Sequence, residues 1–223
     1  MALVSVVGST RAGSVYDQLR ADLLTSRILP GTKLKLVALA ERHEVSMSVI
    51  REALSRLSAE GLVVATPQRG FRVISLSDGD LIDLTNTRVD IECLAARRAV
   101  EHGDLAWETG LVAAHHALDR TPTLLPDGGV NENWIDCHRD FHSALLAGCG
   151  SPRLQGIAAA LRDAAELYRV WSQTLAHDDT RDIAAEHRQL TNLAVARDAD
   201  GLTAALAAHI QRTTDALLRH TQQ

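Results

Sequence analysis

The chain has 223 residues, of which 46% are hydrophobic, and a formal net charge of −5. This length and apolar content allow two folded units with separate cores. Its three cysteines, Cys93, Cys137 and Cys149, are too few for a disulfide framework, and with no signal-like leader or membrane-length apolar run we expect a cytoplasmic protein that does not associate with membranes.

The first 42 residues predict a short arm followed by two helices. Residues 1–13 are expected to form a flexible arm. Apolar residues at helical spacing predict an amphipathic helix over Ser14–Ile28, which Pro30-Gly31 ends. A second, shorter helix is predicted over Leu34–Arg42.

A third helix is predicted to begin behind Ser46, whose hydroxyl can accept hydrogen bonds from the backbone amides of the first turn. Its apolar residues recur at helical spacing, at Val49, Ala53, Leu54 and Leu57. Polar residues fall largely outside this stripe, at Ser48, Arg51, Glu52, Ser55 and Arg56. Gly61 ends the helix.

Two β-prone runs, Leu62–Thr66 and Phe71–Ile74, flank the turn Pro67–Gly70, which carries the basic Arg69. A helix followed by such a hairpin is what a winged helix-turn-helix presents to the major groove and the adjoining DNA backbone. We therefore predict this fold over 14–75. The alternative interpretation is an ordinary small α+β unit whose arginines are merely solvated.

The distribution of charge favours the DNA-binding interpretation. Residues 1–75 contain 10 Lys and Arg against 6 Asp and Glu, whereas residues 76–223 contain 13 against 22. A basic head on an acidic body fits a protein whose head alone approaches phosphate. Because the basic excess is modest, we expect a homodimer that binds a two-fold operator with both heads.

From residue 76 onwards the strand signals vanish, and successive helical patterns predict an all-α bundle over 76–223. A loop rich in proline and glycine, Thr121–Val130, separates its first helices from the rest. The predicted helices are Asp78–His102, Leu105–Arg120, Asn133–Ala147, Arg153–Ala176, Arg181–Arg197 and Ala199–Thr221. The expected fold class is therefore mainly α.

Four histidines in this bundle are candidate metal ligands. His138 and His142 are four residues apart, so they share one face of a helix. His187 and His209 lie mid-helix beside alanine and leucine positions, where a histidine should face the core. Imidazoles on three helices can reach one metal ion at about 2.0–2.1 Å. Taken singly, each histidine is more often an ordinary core or surface residue.

Five short motifs resemble the DNA-binding domain of GntR-type bacterial regulators. They are Pro30-Gly31, Leu39-Ala40-Glu41, Arg51-Glu52-Ala53-Leu54, Glu60-Gly61-Leu62 and Arg69-Gly70. The resemblance implies DNA contacts by Ser46, Ser48, Arg51, Arg69 and Gly70. Met47 and Val49 stand where the family has Arg and Pro, so its base preferences do not carry over to this chain.

The second half resembles the FCD domain of the FadR-like GntR branch, an antiparallel helical bundle that binds small carboxylates, often through a metal. The resemblance rests on Phe141-His142 and on separations of 45 residues from His142 to His187 and 22 from His187 to His209. His138 stands where the family carries Asp. The resemblance implies a divalent transition metal held by His138, His142, His187 and His209, or by three histidines and water.

An all-imidazole shell favours borderline metals over magnesium or calcium, and we predict Zn²⁺ or Ni²⁺. Arg88 lies where the family has an arginine on the first helix of the bundle, so the resemblance implies an effector-binding role for it. The alternative is a surface ion pair between Arg88 and Glu92, four residues apart on one helix.

These patterns predict a transcriptional regulator, not an enzyme, that represses by binding double-stranded operator DNA and responds to a small carboxylate bound at the metal. One alternative is a regulator for which the metal itself is the effector. Another is a metal-dependent hydrolase fused to a DNA-binding head. Against the hydrolase, the candidate general bases near the histidines are ambiguous: Asp136, Asp140 and Glu186.

Overall fold

The computed structural model describes residues 11–24, 27–66, 70–75, 77–126, 131–175 and 181–221, with the backbone alone at 167, 169–175, 217, 220 and 221. Within these ranges the chain forms nine helices and a small three-stranded sheet. It divides into two units, Met1–Ser75 and Leu76–Gln223. The predicted fold class, mainly α with a winged helix-turn-helix and a helical bundle, is confirmed.

The first unit combines three helices with an antiparallel sheet. Its elements are α1 Arg11–Leu24, β1 Lys33–Leu34, α2 Leu36–Arg42, α3 Met47–Ala59, β2 Val63–Thr66 and β3 Gly70–Val73. The strand order is β1-β3-β2, so β3 pairs on both sides. Phe71 and Val73 of β3 are buried, as are Leu19 of α1 and Leu54 of α3. Burial of these side chains provides the main driving force for the unit.

The first unit differs from the sequence prediction in local detail. α1 runs from Arg11 to Leu24, so it begins three residues before the predicted start and ends before the predicted end at Ile28. Residues 11–13 of the predicted arm are therefore helical, and the rest of that arm, 1–10, lies outside the described residues. Leu34 was predicted to open the second helix, but it lies in β1, faces Phe71 of β3 and is buried. A two-residue strand is too short to show an alternating pattern, so the sequence carried no signal for it. Ile50, fully buried, heads the apolar face of α3, whereas Val49 is only half-buried.

The second unit contains six helices whose ends lie within two residues of the predicted ones. They are α4 Asp78–His102, α5 Leu105–Asp119, α6 Glu132–Ala147, α7 Pro152–Leu175, α8 Ile183–Val195 and α9 Ala199–Thr221. The starts are sharp because polar side chains accept from first-turn amides. Ser77 accepts from the amide of Asp80, and Asp104 accepts from that of Trp107 at 2.8 Å.

The helix α4 is the centre of the second unit and contacts α6, α7 and α9. Its alanines Ala95, Ala96 and Ala99 are fully buried, and such short side chains allow neighbouring helices to approach closely. Polar residues also lie in this interior, among them Glu92 of α4 and His142 of α6. Among the helices that the structure describes, none is long and apolar enough to cross a membrane.

Candidate functional site

One face of α3 is buried and the other is exposed. Ile50, Ala53, Leu54 and Leu57 are fully buried, while Ser48 and Arg51 are exposed, as the amphipathic pattern predicted. Ser46 occupies the N-cap position, but its hydroxyl makes no capping bond to the backbone. It lies instead 2.7 Å from the hydroxyl of Ser48. The predicted capping bond of Ser46 is therefore wrong, and the two hydroxyls lie together on the first turn.

Arg51 differs from Arg42 and Arg56, two arginines of the first unit that are engaged by neighbouring side chains. Arg56 lies over the ring of Tyr16, 3.9 Å from its centroid. Arg42 pairs with the buried Asp22 at 2.8 Å. The side chain of Arg51, by contrast, makes no hydrogen bond or ion pair with any residue in the described part of the chain. Its guanidinium is therefore available to an external partner.

The hairpin supplies the remaining predicted DNA contacts. Gly70 is the first residue of β3, pairs with Thr66 and has a φ of +85°. Other residues rarely adopt this left-handed conformation, so the turn requires glycine here. Arg69 and the rest of the turn, 67–69, lie outside the described residues, so its predicted DNA contact stays a prediction. Arg72 of β3 donates to the carbonyl of Gly31 and ties the sheet to the preceding loop.

The four candidate metal ligands come together inside the second unit. His138 and His142 lie on α6, His187 on α8 and His209 on α9. One nitrogen of each histidine lies within 4.8 Å of those of the other three. His142 and His187 are each 2% exposed. Two of the candidate general bases, Asp136 and Asp140, are exposed and lie outside this cluster, and Asp136 pairs with Arg139 at 2.7 Å.

Two ring nitrogens of this histidine cluster lack the partners that buried polar atoms require. Nδ1 of His142 and Nε2 of His187 are buried, and neither has a hydrogen-bond partner among the described residues. Leaving such atoms unpaired costs about 1–3 kcal/mol each. A metal ion satisfies ring nitrogens without a proton donor, so the residues present fit a transition-metal ion.

Three of the four histidines favour the neutral form, which metal binding requires. Burial, followed by the neighbouring histidines and the guanidinium groups of Arg162 and Arg88, lowers the pKa of His142 well below its usual value. Burial is the main reason that the pKa of His187 falls to about 2. The pKa of His209 is also lowered, mainly by burial. Neutral imidazoles keep the lone pairs that bind metals.

Glu186 orients His209. Its carboxylate accepts a hydrogen bond from Nδ1 of His209 at 2.7 Å, which leaves Nε2 as the ring nitrogen able to bind a metal. Arg181 and Arg212 also pair with this carboxylate, at 2.8 and 2.9 Å. Burial raises the pKa of Glu186, but hydrogen bonds from His209 and Arg181 outweigh it and hold the pKa well below its usual range. Glu186 is therefore a positioning residue and a poor general base.

Replacing Glu186 with glutamine should weaken metal binding without removing a ligand. The amide keeps the shape but not the charge that fixes the ring of His209, so we expect about 10- to 100-fold lower affinity for zinc. Competition against a chromophoric chelator measures this change. Glu132→Gln, at the exposed first turn of α6, is the matched control. Equal zinc affinity in the Glu186 variant and the control would contradict the orienting role.

The predicted effector residue Arg88 also lies in the interior. Its Nε donates to Glu92 at 2.9 Å, but Glu92 is fully buried, so the alternative of a surface ion pair is wrong. Arg162 of α7 approaches the other oxygen of Glu92 at 3.5 Å and also donates to Ser143 at 3.3 Å. Nε of Arg162 is buried without a partner among the described residues. Two guanidinium groups thus share one carboxylate beside the histidine cluster.

The lowered pKa values predict that the metal-free second unit is sensitive to mild acid. Below about pH 6.5 the histidines of the unfolded chain bind protons, whereas the pKa values of His142 and His187 lie well below their usual value, so these two stay neutral in the folded state. The free energy of unfolding therefore falls as the pH falls, by about 1.4 kcal/mol per pH unit for each histidine.

Urea denaturation of chelator-treated protein at pH 7.5 and 5.5 measures this dependence, and most carboxylates stay ionised over this range. We expect a lower midpoint at pH 5.5. The variant His187→Leu should show a shallower dependence than His102→Ala, which changes an exposed histidine at the end of α4. Midpoints that do not change with pH would contradict the neutral state of the cluster.

Two protein families match the two halves of the chain. Residues 11–73 match the bacterial regulatory proteins of the gntR family, and residues 83–212 match the FCD domain. The exposed face of α3 lies within the range matched by the gntR family, and the histidine cluster lies within the range matched by the FCD domain.

Similar sequences carry names that belong to regulators. An uncharacterized HTH-type transcriptional regulator, BphR of Paraburkholderia xenovorans, is 37% identical over 89% of this chain and 81% of its own length. The HTH-type transcriptional repressor GlaR of Escherichia coli is 32% identical, covering 82% of this chain and 84% of its own.

Solved structures agree with the fold. McbR/YncC of E. coli superimposes with a TM-score of 0.75 at 22% identity, over 94% of this chain and 98% of its own. A GntR transcriptional regulator from Rhodococcus superimposes with a TM-score of 0.68 at 20% identity, over 93% and 97% of the two chains. The matches to the two family models and to the relatives of 37% and 32% identity show that the chain belongs to the GntR family of bacterial transcriptional regulators and carries an FCD domain in its second half.

Proposed function

We propose that this regulator is a repressor whose affinity for operator DNA is controlled by a small carboxylate bound beside a transition metal in the FCD domain. The observation that carries this proposal is the pair of buried, unpartnered nitrogens in the histidine cluster, on His142 and His187. Buried atoms of this kind are retained where a ligand completes their bonding. Repression is supported by the name of the 32% identical relative GlaR, a transcriptional repressor.

His138, His142, His187 and His209 would hold the metal, which we expect to be Zn²⁺ or Ni²⁺. Four neutral nitrogen donors suit these borderline ions and leave the full positive charge of the metal uncompensated by ligands. When bound, the metal supplies a Lewis acid that attracts an anionic ligand. Glu186 fixes the ring of His209 for this task through the 2.7 Å bond to its Nδ1.

The charges around the cluster favour a carboxylate as effector. Arg88 and Arg162 contribute two positive charges, and Glu92 between them compensates one. An incoming carboxylate would neutralise the remaining charge, and Arg88 is our candidate for contact with it. Glu92 holds both guanidinium groups in place and so orders this side of the site before any ligand binds.

DNA binding is assigned to the exposed face of α3 and to the hairpin. Ser46, Ser48 and Arg51 would contact DNA from α3, with Gly70 and Arg69 at the wing. We propose a homodimer on a two-fold operator, in which effector binding changes the preferred spacing of the two heads. Such gating requires that the effector binds the two arrangements with different affinity.

Operator affinity measured with and without effector tests the gating. An operator is first selected from a randomised duplex library, and binding is then measured at fixed salt for zinc-loaded protein with a panel of small carboxylates. We expect at least one carboxylate to weaken operator binding about 5- to 150-fold, the usual range of coupling between two sites. Carboxylates that bind the protein but leave operator affinity unchanged would contradict the proposal.

Metal titration without any carboxylate separates this proposal from a metal sensor. If zinc or nickel alone switched operator affinity, the metal would be the effector. A hydrolase is disfavoured because His209 and the neighbouring Arg181 bind the carboxylate of Glu186 and lower its pKa, which makes it a weak base. The other two candidate bases, Asp136 and Asp140, are exposed and lie outside the histidine cluster.

A further inference from the structure

Met47 is a large apolar side chain on the exposed face of α3. It is the first residue of the helix and is 53% exposed. The residues on either side of it, Ser46 and Ser48, are also exposed and share a hydrogen bond of 2.7 Å. The buried face of the helix begins at Ile50. Met47 therefore contributes little buried surface to the core of the first unit.

The position of Met47 relative to Arg51 indicates which base pairs the two side chains would contact. Residues four apart in a helix lie on one face, about one turn or 5.4 Å apart along the axis. The first residues of a recognition helix contact base edges in the major groove. One helical turn corresponds to one or two base pairs, because successive base pairs are about 3.4 Å apart. Met47 and Arg51 would thus contact neighbouring base pairs.

The chemistry of the Met47 side chain restricts which groups on DNA it can contact. A thioether neither pairs with phosphate nor donates hydrogen bonds, and as an acceptor it is weak. In unmodified DNA, the apolar group exposed in the major groove is the C5 methyl of thymine. Serine hydroxyls bond to several bases and to phosphate, so Ser46 and Ser48 discriminate little.

We propose that Met47 is a base-specificity residue that packs against a thymine methyl, one or two base pairs from a guanine contacted by Arg51, since guanine is the usual partner of a bidentate arginine. This inference rests on the proposed binding of α3 to operator DNA and adds to it a defined base preference. Each half-site of a two-fold operator would contain one such thymine.

Replacement of thymine by deoxyuridine tests the contact, because it removes only the methyl group. Each thymine of the selected operator is changed in turn, in one half-site only, and binding by the full chain is measured. We expect one position per half-site at which the unmodified protein binds about fourfold more weakly, the effect of unburying one methyl group. Met47→Ala should bind thymine and deoxyuridine equally there.

Two controls locate and isolate the effect. Val37→Ala, which shortens an apolar side chain of α2 that is 58% exposed, should keep the fourfold discrimination. Replacing single guanines with 7-deazaguanine removes the N7 acceptor of the base. We expect one guanine, within two base pairs of the thymine, at which this change weakens operator binding by the unmodified protein but not by Arg51→Ala. Discrimination that persists in Met47→Ala, or is absent from the unmodified protein, would overturn the inference. A library that yields no preferred sequence would contradict operator binding itself.

Discussion

Replacing His142 with alanine is expected to abolish stoichiometric metal binding by the FCD domain. The ring of His142 is 2% exposed and carries one of the two unpartnered buried nitrogens of the cluster. Changes of residues that only orient ligands already cost about 10- to 100-fold in metal affinity, so loss of a ligand should cost more than about 100-fold. Elemental analysis after zinc loading and gel filtration measures the stoichiometry.

A thermal shift measurement separates loss of the ligand from loss of stability. Zinc at about 1,000 times its dissociation constant should stabilise the unmodified protein by about 4 kcal/mol. Each variant is compared with and without zinc, so its own effect on folding cancels. His142→Gln, which fills more of the space, should also lose the zinc-dependent shift, and the exposed His102→Ala should retain it. A full shift in His142→Ala would refute the proposed metal site.

Replacing Arg51 with alanine should weaken operator binding by about 1–3 kcal/mol for each half-site, the value of one bidentate contact to a base. Arg51 is exposed on the face of α3 that carries Ser48, and its guanidinium is not engaged within the described structure. The loss therefore comes from the contact with DNA and not from unfolding. Titration of the selected operator at several salt concentrations measures it.

Two further variants distinguish a base contact from simple loss of charge. Arg51→Lys keeps the charge but lacks the planar fork, so it should recover little of the affinity if the contact is bidentate. Arg98→Ala removes one exposed positive charge from α4 and should change operator affinity little. If Arg51→Ala bound the operator as tightly as Arg98→Ala, the assignment of α3 as the recognition helix would be wrong.

The sequence was sufficient to predict most elements of the fold. The six helices of the second unit lie within two residues of their predicted ends, because long helices repeat their apolar pattern many times and carry side chains such as Ser77 that cap them. β1 was not predicted, since Lys33 and Leu34 become a strand only by pairing with β3. Local pattern cannot report a pairing between residues far apart in the chain.

The histidine cluster was predicted in part from local spacing and in part from resemblance. Spacing placed His138 and His142 on one helical face, as the structure has them. Their mid-helix positions beside alanine and leucine made His187 and His209 candidates as well, but only the resemblance, through separations of 45 and 22 residues, linked them to His142. The capping bond of Ser46 was wrong because a hydroxyl at an N-cap has more than one possible partner, and here Ser48 is that partner.

The sequence by itself determined the class of protein, because short-range patterns and family motifs were enough for that, and it predicted the two kinds of site and the residue types in each. Only the tertiary structure decided which charges surround the histidines. Arg162 is 70 residues from Glu92, and Glu186 is 23 residues from His209. Such contacts depend on how helices rotate and pack against one another, and that is settled by burial over the whole bundle.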